Sequence, residues 1–173
     1  MTIHPNDVLP DLLQPGLRLV FCGTAAGWKS AEARAYYAGP GNKFWPTLHQ
    51  VGLTSRQLKP QEFPHLLDYG IGLTDMMKTQ SGMDVDLVND AAARERLHRT
   101  LLRYQPHHLA FTSKKAASFY LDLPTQKIPY GPQPGNVGET QLWVLTSPSG
   151  AANPHWDVVP WQELAAAVMK LLS

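Results

Sequence analysis

Cysteine is nearly absent from this chain. Cys22 is the single cysteine among 173 residues, which excludes a disulfide within the chain and a zinc site built from cysteines. Its position inside an apolar run predicts a buried, inert thiol. Seven histidines are present, but none has the HExxH spacing, and the adjacent His107 and His108 would point to opposite faces of a strand. The sequence therefore predicts no metal site.

Long hydrophobic runs are also missing. No apolar stretch approaches the roughly 20 residues that a membrane-spanning helix needs, and the first residues lack the basic start and apolar core of a signal peptide. We therefore expect a cytoplasmic protein that does not bind membranes. An excess of charge is absent too, since 17% of residues are charged and the net charge is +1. This balance leaves nucleic acid open as a partner, because a neutral total can hide a local basic face.

The common phosphate-binding motifs are absent as well. The stretch GTAAG at residues 23–27 follows an apolar run, yet it matches neither GxxxxGK[ST] nor GxGxxG. Its side chains offer no acid, base or metal ligand. The pattern is compatible with a tight strand-to-helix turn, or with a set of backbone N–H groups aimed at a planar polar ligand.

Apolar runs alternate with helical patterns along the chain. The predicted strands are 17–22, 107–113 and 140–147. The predicted helices are 42–53 with Asn42 as a plausible N-cap, 60–69, 86–104 with Leu87 on its apolar side, 114–121 and 161–172. This alternation predicts a mostly parallel sheet covered on both faces, in a single domain. The segment 124–138, rich in proline and glycine, is predicted to be irregular.

Ligands of open α/β sheets bind outside the carboxyl ends of the strands. Three loops would leave those ends here, with the sequences GTAAG, TSKK and TSPSGAANP. Functional residues are therefore expected to cluster in these loops.

Three further stretches each allow two interpretations. The stretch YYAGPGNKFW at 36–45 is either an aromatic cluster at the edge of the core or a platform on which a base stacks. Asp75, in YGIGLTDMM, is either a helix N-cap or a carboxylate that acts as a general base or stabilises a developing cation. The stretch TSPSGAANPHW at 146–156 is either an ordinary turn or a rigid loop that presses into a groove.

Taken together, GTAAG after a strand, YAGPGNKFW, YGIGLTDM and SPSGAA resemble the mismatch-specific uracil-DNA glycosylase and thymine-DNA glycosylase family. The resemblance extends over roughly residues 17–170. It implies a three-layer α/β/α fold with a central, mostly parallel sheet of four or five strands. It also implies one domain over 1–173, with 1–16 as an N-terminal extension. The implied activity is excision of uracil from DNA without a cofactor, in base excision repair.

The sequence departs from the family in one loop. Family members usually read Gly-Ile-Asn-Pro-Gly there, and the Asn positions the attacking water. Ala25 stands at that place, so either the chain is inactive or another group supplies the chemistry, for which Asp75 is our candidate. The resemblance assigns the base pocket to Gly23, Thr24, Ala25, Ala26, Gly27, Tyr37 and Asn42. It assigns contact with DNA, including the wedge that fills the gap left by a flipped nucleotide, to Ser149, Gly150, Ala151, Ala152 and Asn153. Independently of the resemblance, Lys114 and Lys115 begin a predicted helix after the second strand, where they either meet a phosphate or are ordinary solvated lysines.

The expected partner is double-stranded DNA with a mismatch or a deaminated base. Single-stranded DNA is a further candidate, because Ala151 and Ala152 are small for a wedge. A monomer is the default expectation, associated with the nucleoid if the source is bacterial. The alternatives are a lesion-binding protein that has lost catalysis, a glycosylase for another deaminated or alkylated base, and a nucleotide-binding enzyme of another kind.

Overall fold

A computed structural model describes residues 6–81 and 90–172. Its centre is a five-stranded sheet with the order β2-β1-β3-β5-β4, in which β4 runs antiparallel to β5 and the other neighbours are parallel. The strands are β1 (Leu19–Gly23), β2 (Ile71–Asp75), β3 (His108–Phe111), β4 (Gly131–Val137) and β5 (Thr140–Val144). The predicted α/β class, with a mostly parallel central sheet, is confirmed.

The described part of the chain forms five α-helices beside the sheet. They are α1 (Trp28–Ala33), α2 (Phe44–Gln50), α3 (Ala91–Tyr104), α4 (Lys114–Leu121) and α5 (Val159–Met169). The 3₁₀ helices within residues 6–81 and 90–172 are Pro60–Tyr69, Thr125–Lys127, Gly150–His155 and Lys170–Leu172. None of the described helices is long and apolar enough to cross a membrane.

The sheet separates two apolar cores, as the three-layer prediction requires. All five residues of β1 are buried. Leu19 and Phe21 pack into the core that contains α2 and α5 residues, whereas Val20 and Cys22 pack into the core formed with α3 and α4. Alternate residues of a strand point to opposite faces, so a continuous apolar run is what a doubly covered strand requires. Burial holds the pKa of the Cys22 thiol far above its ordinary value, in line with an inert cysteine.

Two strands were absent from the prediction. The segment 124–138 was predicted to be irregular, but it contains β4, which pairs with β5 through a register shift between Pro132 and Asn136. Prolines are tolerated in an edge strand, because the outer side of that strand needs no N–H donors. The other strand that was not predicted is β2, in which Gly70 precedes and Gly72 interrupts the apolar residues.

The N-terminal segment explains the glycine inside β2. The backbone of Leu12 exchanges two hydrogen bonds of 2.9 Å with Leu73, and Leu9 and Leu12 are fully buried. A Cβ on Gly72 would lie 2.5 Å from the carbonyl oxygen of Leu12. Glycine at this position therefore permits the close approach of the N-terminal segment to β2.

The helix predictions need smaller corrections. Of the helix predicted at 86–104, the structure has Ala91–Tyr104, with Asp90 as its N-cap, while residues 82–89, including Leu87, lie outside the described residues. The predicted helix at 60–69 is a 3₁₀ helix, which ends at Gly70 as expected. Lys43 rather than Asn42 is the N-cap of α2. The Asn42 side chain still supports the first turn, because its Oδ1 accepts a hydrogen bond of 2.9 Å from the Phe44 amide.

Candidate active site

A cleft of about 490 Å³ lies at the carboxyl ends of the parallel strands. Its walls include the loops that follow β1, β3 and β5, the turn before α2 and the end of β2. Among the predicted site residues, those that line the cleft are Gly23, Thr24, Ala25, Ala26, Gly27, Tyr37, Asn42, Asp75, Ser149, Ala151 and Ala152. The cleft thus brings together residues that are up to about 130 positions apart in the sequence.

Gly23 is closely surrounded by polar side chains of this cleft. A Cβ on Gly23 would lie 2.7 Å from Oδ1 of Asp75, 3.2 Å from Oη of Tyr37 and 3.6 Å from Oγ1 of Thr112. Three polar side chains from three different segments therefore converge over one glycine. Any side chain at this position would displace them.

Asp75 is the last residue of β2 and is only 4% exposed. It therefore does not form the N-cap of a described helix, which had been the alternative interpretation. Desolvation by burial, aided by the Asp11 carboxylate, raises the pKa of Asp75 from 3.8 to about 6, against the opposing effect of Lys78 and Arg96. The carboxyl group is mostly ionised at neutral pH and is poised to exchange a proton near that pH.

Tyr37 presents a partly buried ring to the cleft. The ring stacks on Phe44, with centroids 3.9 Å apart and an interplanar angle of 20°, and its hydroxyl lies 3.0 Å from Oγ1 of Thr112. The backbone of Tyr37 has a φ of 52°, which is costly for a residue with a side chain. The neighbouring Tyr36 is a core residue, 2% exposed, so the aromatic-cluster interpretation holds for Tyr36, whereas Tyr37 lines the cleft.

The loop at residues 23–27 is held by its backbone. The carbonyl oxygens of Gly23 and Thr24 accept hydrogen bonds of 2.8 and 2.7 Å from the amides of Met76 and Met77. Oγ1 of Thr24 lies 3.4 Å from the Ser113 hydroxyl. The loop carries no ionisable side chain, and the charged side chains that line the cleft, Lys29 and Asp75, belong to other elements.

The predicted wedge segment forms one rim of the cleft. The Lys43 amide donates a hydrogen bond of 2.8 Å to the Pro148 carbonyl oxygen, and the Lys43 ammonium donates to Oδ1 of Asn153. A Cβ on Gly150 would lie 3.2 Å from the Pro40 carbonyl oxygen. Gly150 and Asn153 thus pack beside the cleft without lining it.

Lys114 also lies outside the lining. Its ammonium group sits 4.3 Å from the centroid of the Tyr130 ring, a cation–π distance. The structure therefore gives Lys114 a partner within the protein.

Several residues that the sequence left unassigned also belong to the site. Thr112 and Ser113 line the cleft, as members of a loop that the strand pattern had indicated only as a whole. Trp28 lines it as well and is 66% exposed. The sequence did contain a signal for Trp28, because a large aromatic residue directly follows the loop at residues 23–27.

Comparison with known proteins identifies the family. The model of the uracil DNA glycosylase superfamily matches residues 10–165. The chain therefore belongs to the uracil DNA glycosylase superfamily. Its fold is similar to the solution NMR structure of a "putative Uracil DNA glycosylase" from Methanosarcina acetivorans. The TM-score is 0.63 and the identity 20%, and the similarity covers 95% of this chain and 97% of that one.

Membership of the uracil DNA glycosylase superfamily gives the chain its general activity and partner. Uracil excision from DNA, by hydrolysis of the bond between base and sugar, is the general activity that membership of this superfamily supports. DNA is the corresponding partner.

Proposed function

We propose that this chain is a uracil-DNA glycosylase of the mismatch-specific branch, in which Asp75 replaces the missing loop asparagine. The observation that supports this most is the convergence over Gly23. A buried carboxylate and an aromatic residue meet there, beside a loop in which the Ala25 side chain cannot position a water molecule. The substrates we assign are uracil opposite guanine, uracil in other pairings and uracil in single-stranded DNA. The protein would act as a monomer without a cofactor.

The nucleotide must leave the helix before it can react, because the glycosidic bond is inaccessible within a duplex. Opening a mismatched pair costs less than opening a matched one, which favours G·U. The flipped uracil would enter the cleft and stack on Tyr37. Phe44 already covers one face of the Tyr37 ring, so the base would take the other.

The loop at residues 23–27 would bind the base through its backbone amides. Hydrogen bonds from N–H groups to the uracil carbonyls strengthen as the electron pair of the breaking C1′–N1 bond moves onto the base. Such differential binding lowers the barrier. The side-chain amide of Asn42 could add a donor, because its Oδ1 is engaged by the Phe44 amide.

Asp75 would act on the sugar and the water. Its ionised carboxylate stabilises the positive charge that develops on the deoxyribose, and it accepts a proton from the water that attacks C1′. The products are free uracil and an abasic site. With a pKa of about 6, Asp75 would be a stronger base than an ordinary aspartate and would still be ionised at neutral pH.

Contact with the surrounding DNA would come from the rim. Ala151 and Ala152 are too small to fill the gap left by a flipped nucleotide, which is why we include single-stranded substrates. Trp28 offers an exposed aromatic face at the same cleft, and a base could stack on it. Lys29, next to it, could approach a phosphate.

A single-turnover excision assay tests the proposal. Oligonucleotides that carry uracil opposite guanine, opposite adenine or in a single strand are incubated with the protein, and abasic sites are then cleaved with alkali. We expect cleavage by the wild type, a loss of at least about tenfold in Asp75→Asn, and no change in the matched control Asp68→Asn, which alters an exposed carboxylate.

Two outcomes would contradict the proposal. Full activity in Asp75→Asn would show that no charged group is needed at this position. Wild-type protein that binds abasic DNA but cleaves no uracil substrate would point instead to a lesion-binding protein, or to a glycosylase for another altered base.

A further inference from the structure

Lys78 is a buried lysine beside Asp75. It is 7% exposed, which is rare for lysine unless the ammonium group is paired. Its Nζ lies 2.8 Å from Oδ1 of Asp11, 3.2 Å from the Tyr36 hydroxyl and 3.9 Å from Oδ2 of Asp75. The ammonium group is thus anchored by Asp11 and Tyr36, and it faces Asp75 without forming a hydrogen bond to it.

Asp11 is itself fixed on β2. The Thr74 hydroxyl, one residue before Asp75, donates a hydrogen bond of 2.8 Å to Oδ1 of Asp11. Oδ2 of Asp11 lies 3.9 Å from the Arg96 guanidinium. Arg96 also donates to the carbonyl oxygens of Asp75 and Met76. Arg96 therefore holds the backbone of Asp75, and Asp11 holds the Lys78 ammonium group next to the Asp75 side chain.

The two oxygens of Asp75 have different surroundings. Oδ1 lies over Gly23 in the cleft, and Oδ2 is directed to Lys78. An ammonium group at 3.9 Å attracts the carboxylate, but it lies beyond hydrogen-bond distance and occupies none of its lone pairs.

We propose that Lys78, anchored by Asp11, is a positioning residue that keeps Asp75 ionised and directed into the cleft. Asp11 would set the strength of this effect, because its negative charge opposes that of Lys78. The inference rests on the proposed function of Asp75.

Among the described residues, three charged groups face Asp75 from three segments. They are Lys78 after β2, Asp11 on the N-terminal segment and Arg96 on α3. Lys78 and Arg96 lower the pKa of Asp75, whereas Asp11 and, above all, burial raise it. The neutral titratable neighbours are Cys22, Tyr36 and Tyr37. Burial is the largest cause of the raised pKa of each, so these groups carry no charge at neutral pH.

The pH dependence of single-turnover excision tests the proposal, with Lys78→Met, Lys78→Arg, Asp11→Asn and the exposed control Lys127→Met. In Lys78→Met we expect the acidic limb of the rate profile to move to higher pH by about one unit. The reason is that an opposite charge at this distance lowers a carboxyl pKa by about that amount or more, and this variant removes that charge. Lys78→Arg keeps the charge and should leave the limb close to its wild-type position. Asp11→Asn removes a negative charge and should move the acidic limb to lower pH.

A uniform loss of rate at every pH in Lys78→Met, with the limb unmoved, would overturn the proposal and leave Lys78 a structural role. If Lys78→Met does not fold, Lys78→Gln takes its place, and a limb that stays at its wild-type pH in that variant contradicts the proposal.

A titration that needs no activity separates this inference from the proposed function. The chemical shift of the Asp75 carboxyl carbon is followed against pH by NMR in the wild type and the same variants. Shifted titration in Lys78→Met and Asp11→Asn, in opposite directions, supports the positioning role even if no uracil is excised. Unchanged titration rejects it even if excision is fast.

Discussion

The two walls of the cleft differ in how they can act on a ligand. The loop at residues 23–27 has small side chains, no charge and a backbone held through the amides of Met76 and Met77. The end of β2 carries a buried carboxylate, and a lysine and an arginine lie behind it. The comparison teaches that recognition and chemistry can be separated. Under the proposed function, one wall binds the base through backbone groups, while the other supplies a carboxylate in place of the asparagine that the loop lacks.

Gly23→Ala should displace side chains in both walls of the cleft. The new Cβ would lie 2.7 Å from Oδ1 of Asp75 and 3.2 Å from the Tyr37 hydroxyl, so both groups must move. Because a misplacement of about 1 Å can cost about 100-fold in rate, we expect a loss of that size in single-turnover excision. The matched control is Gly27→Ala, whose Cβ would meet no atom within 4 Å. Equal losses in the two variants would show that the crowding over Gly23 has no functional role.

Asp75→Asn should disable only the charged wall. We expect excision to fall by at least about tenfold, a barrier increase of about 1.4 kcal/mol, while binding to abasic DNA stays within about twofold of the wild type. Single-turnover rates and fluorescence anisotropy measure the two properties. A parallel loss of binding would mean that the variant has damaged the cleft as a whole.

The same substitution should stabilise the fold. The pKa of Asp75 is raised to about 6 in the folded protein, so the neutral carboxyl is favoured there. This contribution to stability is complete below about pH 4 and is lost as the pH rises through 6. Asn keeps the group neutral. Asp75→Asn should therefore be more stable than the wild type by about 1–3 kcal/mol at pH 8, with the difference vanishing near pH 4.

Urea unfolding at both pH values measures this effect, with Asp68→Asn as the exposed control. A variant that is less stable than the wild type at pH 8 would mean that the attraction between Asp75 and Lys78 outweighs the cost of burial.

Trp28→Ala should give the smallest effect and should sharpen the assignment of the rim. Stacking of a base on an aromatic residue contributes about 1–3 kcal/mol. Because Trp28 is largely exposed, we expect the lower end, about a fivefold weaker binding to uracil-containing DNA in fluorescence anisotropy. Trp28→Phe should retain most of the affinity. An affinity unchanged in Trp28→Ala would remove Trp28 from the DNA contact.

The sequence predicted much of the fold because buried strands are continuous apolar runs. β1, β3 and β5 follow this rule, and the loops after them were expected at one edge of the sheet. β2 and β4 were missed because glycine and proline obscure the pattern of apolar residues. Lys78 was missed for a different reason. Its partner Asp11 lies 67 positions earlier in the sequence, and no local pattern links two such residues.

The pairing of Leu12 with Leu73 has a consequence for how copies of this protein behave together. An outer strand with free N–H and C=O groups is a template for association with other chains. At one margin of the sheet, the N-terminal segment covers part of β2. At the opposite margin, Pro132 and Pro134 remove amide donors from β4. Substitution of Gly72 by a larger residue would expel Leu12, and the first symptom would be aggregation through the uncovered strand.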